Sequence, residues 1–118
     1  MELMGFQSAP AIWLIEPVSY LEFLSLEADA AAVLTDSGGV QEETTVLGVP
    51  CVTLRENTER PVTISEGTNF LAGTQLSSVR DHFTKAMGAS MTGRVPRFWD
   101  GRSAERIDEI LMRVLDVE

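Results

Sequence analysis

Cysteine and histidine are nearly absent from this 118-residue chain, which holds one of each, Cys51 and His82. A single cysteine excludes a disulfide framework within the chain. No Cys/His spacing suits a metal, so neither a metal site nor a cofactor is expected. Basic residues are also scarce. Nine Lys and Arg stand against eighteen Asp and Glu, a formal net charge of −9. A field of that sign disfavours nucleic acid and anionic membrane surfaces, so neither is expected as a partner. No apolar run reaches the length of a membrane span. Residues 1–17 (MELMGFQSAPAIWLIEP) have no basic segment, and prolines break their short apolar run, unlike a secretory signal peptide. A reducing, cytoplasmic setting is expected.

What is present suits one small globular domain over 1–118. Hydrophobic residues make up 44% of the chain and mean hydropathy is close to zero, enough to bury a single core. Residues 1–10 carry no periodic signal and are expected to be partly disordered. Cys51 lies inside an apolar run and reads as a small buried hydrophobe. His82 reads as a surface residue.

Apolar runs at 11–15 (AIWLI), 31–35, 50–54 (PCVTL) and 69–72 (NFLA) predict four short strands. Between them fall helical patterns. Ser19 with Glu22 forms a capping-box pattern and predicts a helix over 19–28. A second helix is expected over 40–47, with Val40, Thr44 and Leu47 on its inner face. Gly48 is its stop, and Pro50 follows. Pro61 suits a first helical position, predicting a short helix over 61–66. Ser77 or Ser78 can cap a helix over 78–88 whose inner face is Val79, Phe83 and Met87. Ser103 is the expected cap of the last helix, with an apolar stripe of Ile107, Ile110, Leu111, Val114 and Leu115. Between these two helices, 96–101 (PRFWDG) reads as a loop whose two aromatics need cover. Strands alternating with helices over short connections predict an α/β fold, a small parallel sheet with flanking helices. Four short strands make only part of a Rossmann-like domain.

The chain is organised around residues 31–60, AAVLTDSGGVQEETTVLGVPCVTLRENTER. In an open α/β sheet, ligands sit at the carboxyl ends of strands, where loops meet helix N-termini. The turn Asp36-Ser37-Gly38-Gly39 occupies such a place. Its glycines let backbone approach a bulky anion, and free amides with the helix dipole attract one despite the net charge. The Ser37 hydroxyl adds a donor. Equally, Ser37 can be only a helix cap and the glycines only a tight turn. The pattern is neither a Walker A loop nor a full GxGxxG. Glu42 and Glu43 follow. Adjacent helical residues point about 100° apart, so only one can face the turn. Either acid could accept from ribose hydroxyls, or simply favour the helix N-terminus. Arg55 and Arg60 flank the loop after the third strand and can reach the same ligand, or pair with Glu56 or Glu59. Tyr20 and Phe23 read as core on pattern alone.

TDSGGVQEE (35–43), GVP (48–50), TERP (58–61), GTN (67–69) and WDGRSAERI (99–107), preceded by EPVSYLEFLSL (16–26), resemble the C-terminal segment of the UDP-N-acetylglucosamine 2-epimerase family. The resemblance spans roughly 12–115 and rests on an ordered series of motifs. It implies two Rossmann-like domains in the GT-B arrangement, with the nucleotide sugar between them and UDP held by the C-terminal one. By motif position, Ser37, Gly38 and Gly39 would contact the diphosphate and Glu43 the ribose hydroxyls. Arg60 would serve the nucleotide end or the diphosphate, and Phe23 would lie beside the uracil.

The resemblance also sets limits. Family members are about three times this length, and their catalytic acids lie in the N-terminal domain. His82 matches no catalytic position, and Val62 stands where some members carry glutamate. No catalytic residue is therefore assigned. The expected partner is UDP or a UDP-sugar, with the chain alone inactive and the parent reaction being conversion of UDP-N-acetylglucosamine to UDP-N-acetylmannosamine. A homo-oligomer or a separate N-terminal domain partner is expected to cover exposed edges. The alternative is a non-catalytic nucleotide-binding or protein-interaction module. A GT-B glycosyltransferase fragment is a third reading, disfavoured by QEE with TERP.

Overall fold

Three short strands form a parallel sheet in the order β1-β2-β3, flanked by helices. The computed structural model describes residues 11–91 and 93–116; the disorder expected for 1–10 falls outside them. The elements run α1 (Tyr20–Asp29), β1 (Val33–Thr35), α2 (Gly38–Leu47), β2 (Cys51–Thr53), α3 (Val62–Ser65), β3 (Asn69–Leu71), α4 (Leu76–Gly88) and α5 (Ser103–Val114). Val33 pairs with Cys51 and Cys51 with Asn69, so the three carboxyl ends lie at one edge.

The central strand β2 is buried throughout. Side chains alternate along a strand. Val52 lies in an apolar cluster with Ala72 and Ala86, against which Leu54, Phe70 and Val79 pack. Cys51 and Thr53 share the other face. Burial pushes the Cys51 thiol up, against hydroxyls of Thr44 and Thr53 that favour its charged form. That second face is lined with polar groups: Gln41, Thr44, Thr45, Thr53, Thr63, Thr68 and Asn69 are all buried. The inner face expected for α2 is therefore corrected. Thr44 is buried, but Gln41 and Thr45 accompany it while Leu47 stays exposed. Hydroxyls make this possible. Thr44 and Thr45 donate back to the Gln41 carbonyl at 3.2 and 2.8 Å, leaving their methyl groups to pack.

The run 11–15 is not a strand. It finds no sheet partner among the described residues, and Trp13 is 86% exposed. A run buried on both faces needs a neighbouring strand and two covering layers, and none surrounds it. The four-strand expectation becomes three. On α4, Val79 is partly buried but Phe83 and Met87 remain exposed. Neither Ser77 nor Ser78 caps it: Gln75 stands at the cap, while Ser78 Oγ donates to the Ala72 carbonyl at 2.7 Å. Arg102, and not Ser103, precedes α5 as its cap. His82 is half-buried, its Nδ1 2.8 Å from the Ser78 carbonyl oxygen. The cover that Phe98 needs comes from two guanidinium groups, Arg97 and Arg106, 4.5 and 4.8 Å from its ring centre.

Two expectations at element ends hold in atomic detail. Ser19 and Glu22 form the reciprocal capping box of α1. Gly48 ends α2 in the left-handed conformation at φ 73°. No helix among the described residues is long and apolar enough to cross a membrane.

Candidate functional site

The turn between β1 and α2 places Ser37, Gly38 and Gly39 at the carboxyl edge of the sheet. Ser37 occupies the cap position of α2 in an extended conformation, yet its hydroxyl makes no capping bond. Its amide is instead taken by Thr35 Oγ1 at 3.1 Å. The first intrahelical bond runs from the Gln41 amide to the Ser37 carbonyl. The amides of Gly38, Gly39 and Val40 thus precede the helix's own bonding. A free hydroxyl and three forward-pointing amides make the local surface attractive to an anion.

A buried polar network holds the neighbouring loop against this turn. Gln41 Nε2 donates to the Ser37 carbonyl at 3.2 Å. Gln41 Oε1 accepts from Thr58 Oγ1 at 2.6 Å and from Asn69 Nδ2 at 3.1 Å. Asn69 Nδ2 also reaches Thr63 Oγ1 at 3.1 Å, and its Oδ1 accepts from Thr53 Oγ1 at 2.5 Å. Thr58 Oγ1 in turn accepts the Arg60 amide at 2.9 Å. The Gln of QEE, the Thr of TERP and the Asn of GTN are therefore one structure. They fix where Arg60 leaves the backbone. Gly67 is needed beside them. A Cβ there would lie 2.6 Å from the Thr63 carbonyl and 2.8 Å from Thr45.

The two acids of α2 border one groove but have different partners. Glu42 Oε1 accepts from Arg60 Nε, so Glu42 is the acid on the loop side and Arg60 joins the turn through it. Glu43 turns to α1. It lies beside the Tyr20 hydroxyl, where its charge pushes the Tyr20 pKa up. With Tyr20, Leu24, Glu42, Val46 and Leu47, it lines a groove of about 320 Å³ between α1 and α2. A larger hollow, about 570 Å³, lies at the far end of α2 by Gly48 and Arg94, away from the turn. Phe23 sits on α1 and is 39% exposed, a position on the helix that Glu43 faces but outside that groove's lining.

Arg55 is bound to the loop itself. It donates to Glu59 Oε1 at 3.1 Å and to Asn57 Oδ1 at 3.0 Å. Glu59 Oε2 stands 3.8 Å from where a Cβ on Gly38 would be. Its own backbone amide, then Arg55, hold the Glu59 carboxyl below the usual carboxylate range. An acid in front of a helix N-terminus would repel an anionic ligand, and Arg55 neutralises it there.

One site residue escaped the sequence reading. Glu27, on the last turns of α1, is only 3% exposed, and neither carboxyl oxygen finds a hydrogen-bond donor among the described residues. Burial, then the adjacent Glu43 carboxyl, raise its pKa to about 7. Its spacing from Tyr20 and Leu24, at i+7 and i+3, was the available signal that it shares their face.

Known proteins can now be set beside this geometry. The family model for UDP-N-acetylglucosamine 2-epimerase matches residues 2–112. The UDP-N-acetylglucosamine 2-epimerase of Methanocaldococcus jannaschii is 48% identical over 105 residues, 89% of this chain and 28% of that protein. The Bacillus subtilis enzyme of the same name is 38% identical over 117 residues, 91% of this chain and 30% of its own. The chain thus spans a little over a quarter of the length of these relatives. Among solved structures, the M. jannaschii epimerase in complex with UDP-GlcNAc and UDP superposes with a TM-score of 0.72 at 48% identity, covering 84% of this chain and 27% of that one. The S. aureus MnaA–UDP co-structure gives 0.76 at 30% identity, covering 98% and 32%. The family model spans nearly the whole chain and these relatives match most of it, and the chain belongs to the UDP-N-acetylglucosamine 2-epimerase family.

Proposed function

We propose that this chain holds the UDP moiety of UDP-N-acetylglucosamine for a protein that converts it to UDP-N-acetylmannosamine. The observation that carries the reading is the uncommitted donor set at the start of α2: the Ser37 hydroxyl makes no capping bond there. A diphosphate seated on it would take the amides of Gly38 and Gly39 and the Ser37 hydroxyl. It would need such local donors because the chain's net charge is −9. Arg60, swung from Glu42, would offset the diphosphate charge. The Glu43 carboxylate would accept from the ribose hydroxyls. Phe23, left open on α1, would lie beside the uracil.

The reaction takes a proton from the sugar C2 and returns it, through elimination and re-addition of UDP, and so needs a positioned acid or base near the sugar. Asp36, in the turn itself, makes no hydrogen bond or ion pair among the described residues that would poise it as a base, and the other two acids nearby are held in ion pairs. Glu42 is paired with Arg60 and Glu59 with Arg55. The chain by itself is therefore read as binding without turnover, in a cytoplasmic setting. Titration calorimetry tests this: UDP binds the native chain, and Ser37→Ala and Glu43→Ala each weaken it roughly tenfold, the worth of one hydrogen bond to a charged group. Absence of UDP heat, or equal affinities in all three proteins, would overturn the reading.

A second reading, a protein-interaction module that pairs with itself or with a separate domain, is favoured by α5. The helix buries none of its residues, and Ile107, Ile110, Leu111, Val114 and Leu115 lie open along it.

A further inference from the structure

Glu27 should not be where it is unless something supplies it with a proton or a donor. A carboxylate excluded from water and left without a hydrogen bond is among the most costly groups a fold can contain. No ion pair among the described residues includes Glu27 or Glu43. Glu43 from α2 is the side chain that acts on Glu27, and the charge of Glu27 in turn reaches the Tyr20 hydroxyl on its own helix and the buried Cys51 thiol of β2. None of them is a cation. Two carboxyl groups in such contact cannot both be charged cheaply, so one takes a proton and bonds to the other. The buried one, Glu27, is the better acid to keep neutral. Glu43 lines the open groove, where water and a ligand can reach its carboxyl.

We infer that Glu27 is a positioning residue for Glu43: its protonated carboxyl donates to Glu43 and holds that carboxylate facing the groove between α1 and α2, ready to accept from a diol such as a ribose. The inference rests on the UDP reading for the identity of the diol. The consequence is a built-in dependence on pH. As pH rises through about 7 Glu27 loses its proton, Glu43 loses its donor and gains a repelling neighbour, and the diol loses an oriented acceptor.

UDP calorimetry near pH 6 and near pH 8.5 tests this in the native chain, Glu27→Gln and Glu27→Leu. The phosphate of UDP titrates in the same range, but it does so equally for all three proteins. Glutamine donates at every pH, so native affinity should match Glu27→Gln near pH 6 and fall about tenfold below it near pH 8.5. Leucine fills the space without donating, so Glu27→Leu should bind more weakly than Glu27→Gln at both values. A purely structural role would leave both ratios at one. A carboxyl-carbon NMR titration of the native chain supplies a readout that needs neither variant nor ligand. Glu27 titrating near 7 supports the pairing, and titration in the ordinary glutamate range overturns it. If no protein gives UDP heat while Glu27 still titrates near 7, the UDP reading fails and the carboxyl pairing stands.

Discussion

Glu27 and Glu43 sit sixteen positions apart on successive helices, and burial first, then Glu43, displaces the Glu27 carboxyl. Its effect on stability has a definite sign. The folded-state pKa, raised from the ordinary 4.5 to about 7, means that the folded chain binds more protons than the unfolded chain between those values. The contribution to stability is full below about 4.5 and is lost as pH rises through about 7. At 1.36 kcal/mol per pKa unit, the swing is at most about 3–4 kcal/mol. Thermal melts at several pH values should therefore show the native chain losing stability relative to Glu27→Gln between about pH 5 and 8. Parallel profiles would contradict the assignment. Surface acids such as Asp100, held near 2 by Arg106, titrate alike in both proteins and cancel from the comparison. Sequence could not show this pairing. A glutamate in a helix reads as solvated, and only the packing of α1 on α2 reveals that this one is not. The Ser37 hydroxyl gave the opposite case. Its place before Gly38-Gly39 marked it as a donor, and in the structure it stands at the cap position with that hydroxyl making no capping bond.

At the scale of elements, what was legible was local. The capping box at Ser19 and the glycine stop at Gly48 involve residues within one turn, and both appear as read. The parallel strands at β1, β2 and β3 follow from apolar runs separated by helices. The run 11–15 failed because pairing is not local: nothing in AIWLI says whether a neighbour lies alongside. The buried face of α2 was also hidden. Thr44 was expected inside; Gln41 and Thr45 look like a solvated face, yet they bond to one another and to Thr58, Thr68 and Asn69. This network gives structural reasons for motif letters that otherwise look functional. Replacing Gln41 by Met keeps the bulk and removes the acceptor shared by Thr58 and Asn69. We predict a loss of about 1–3 kcal/mol, measured by urea unfolding, because the half-buried Thr58 hydroxyl and the buried Asn69 amide each lose an acceptor, Asn69 keeping only Thr63. An unchanged midpoint would show that the network does not hold the loop. The same variant should weaken UDP binding less than Ser37→Ala does, since it reaches the ligand's donors only indirectly, through the Ser37 carbonyl and the placement of Arg60.

The whole molecule presents more apolar surface than one small sheet can cover. Trp13 and Leu21 are at least three-quarters exposed, and α5 carries its entire stripe in the open. Apolar surface of that extent drives association. Light scattering at high micromolar concentration should give a mass above that of one chain. Replacing Ile107 and Leu111 by Glu should return it towards the monomer. A monomer in the native protein would remove the self-pairing reading and leave a separate domain as the expected cover. The central claim is narrower than assembly or turnover: UDP is held at the start of α2. Amide NMR of the native chain titrated with UDP tests it most directly. The account predicts saturable shifts of the Gly38 and Gly39 amides, the largest in the chain, with uridine alone moving them far less because it lacks the diphosphate. UDP added to saturation with those two amides unmoved, or with the largest shifts at the far end of α2 by Gly48, would contradict it.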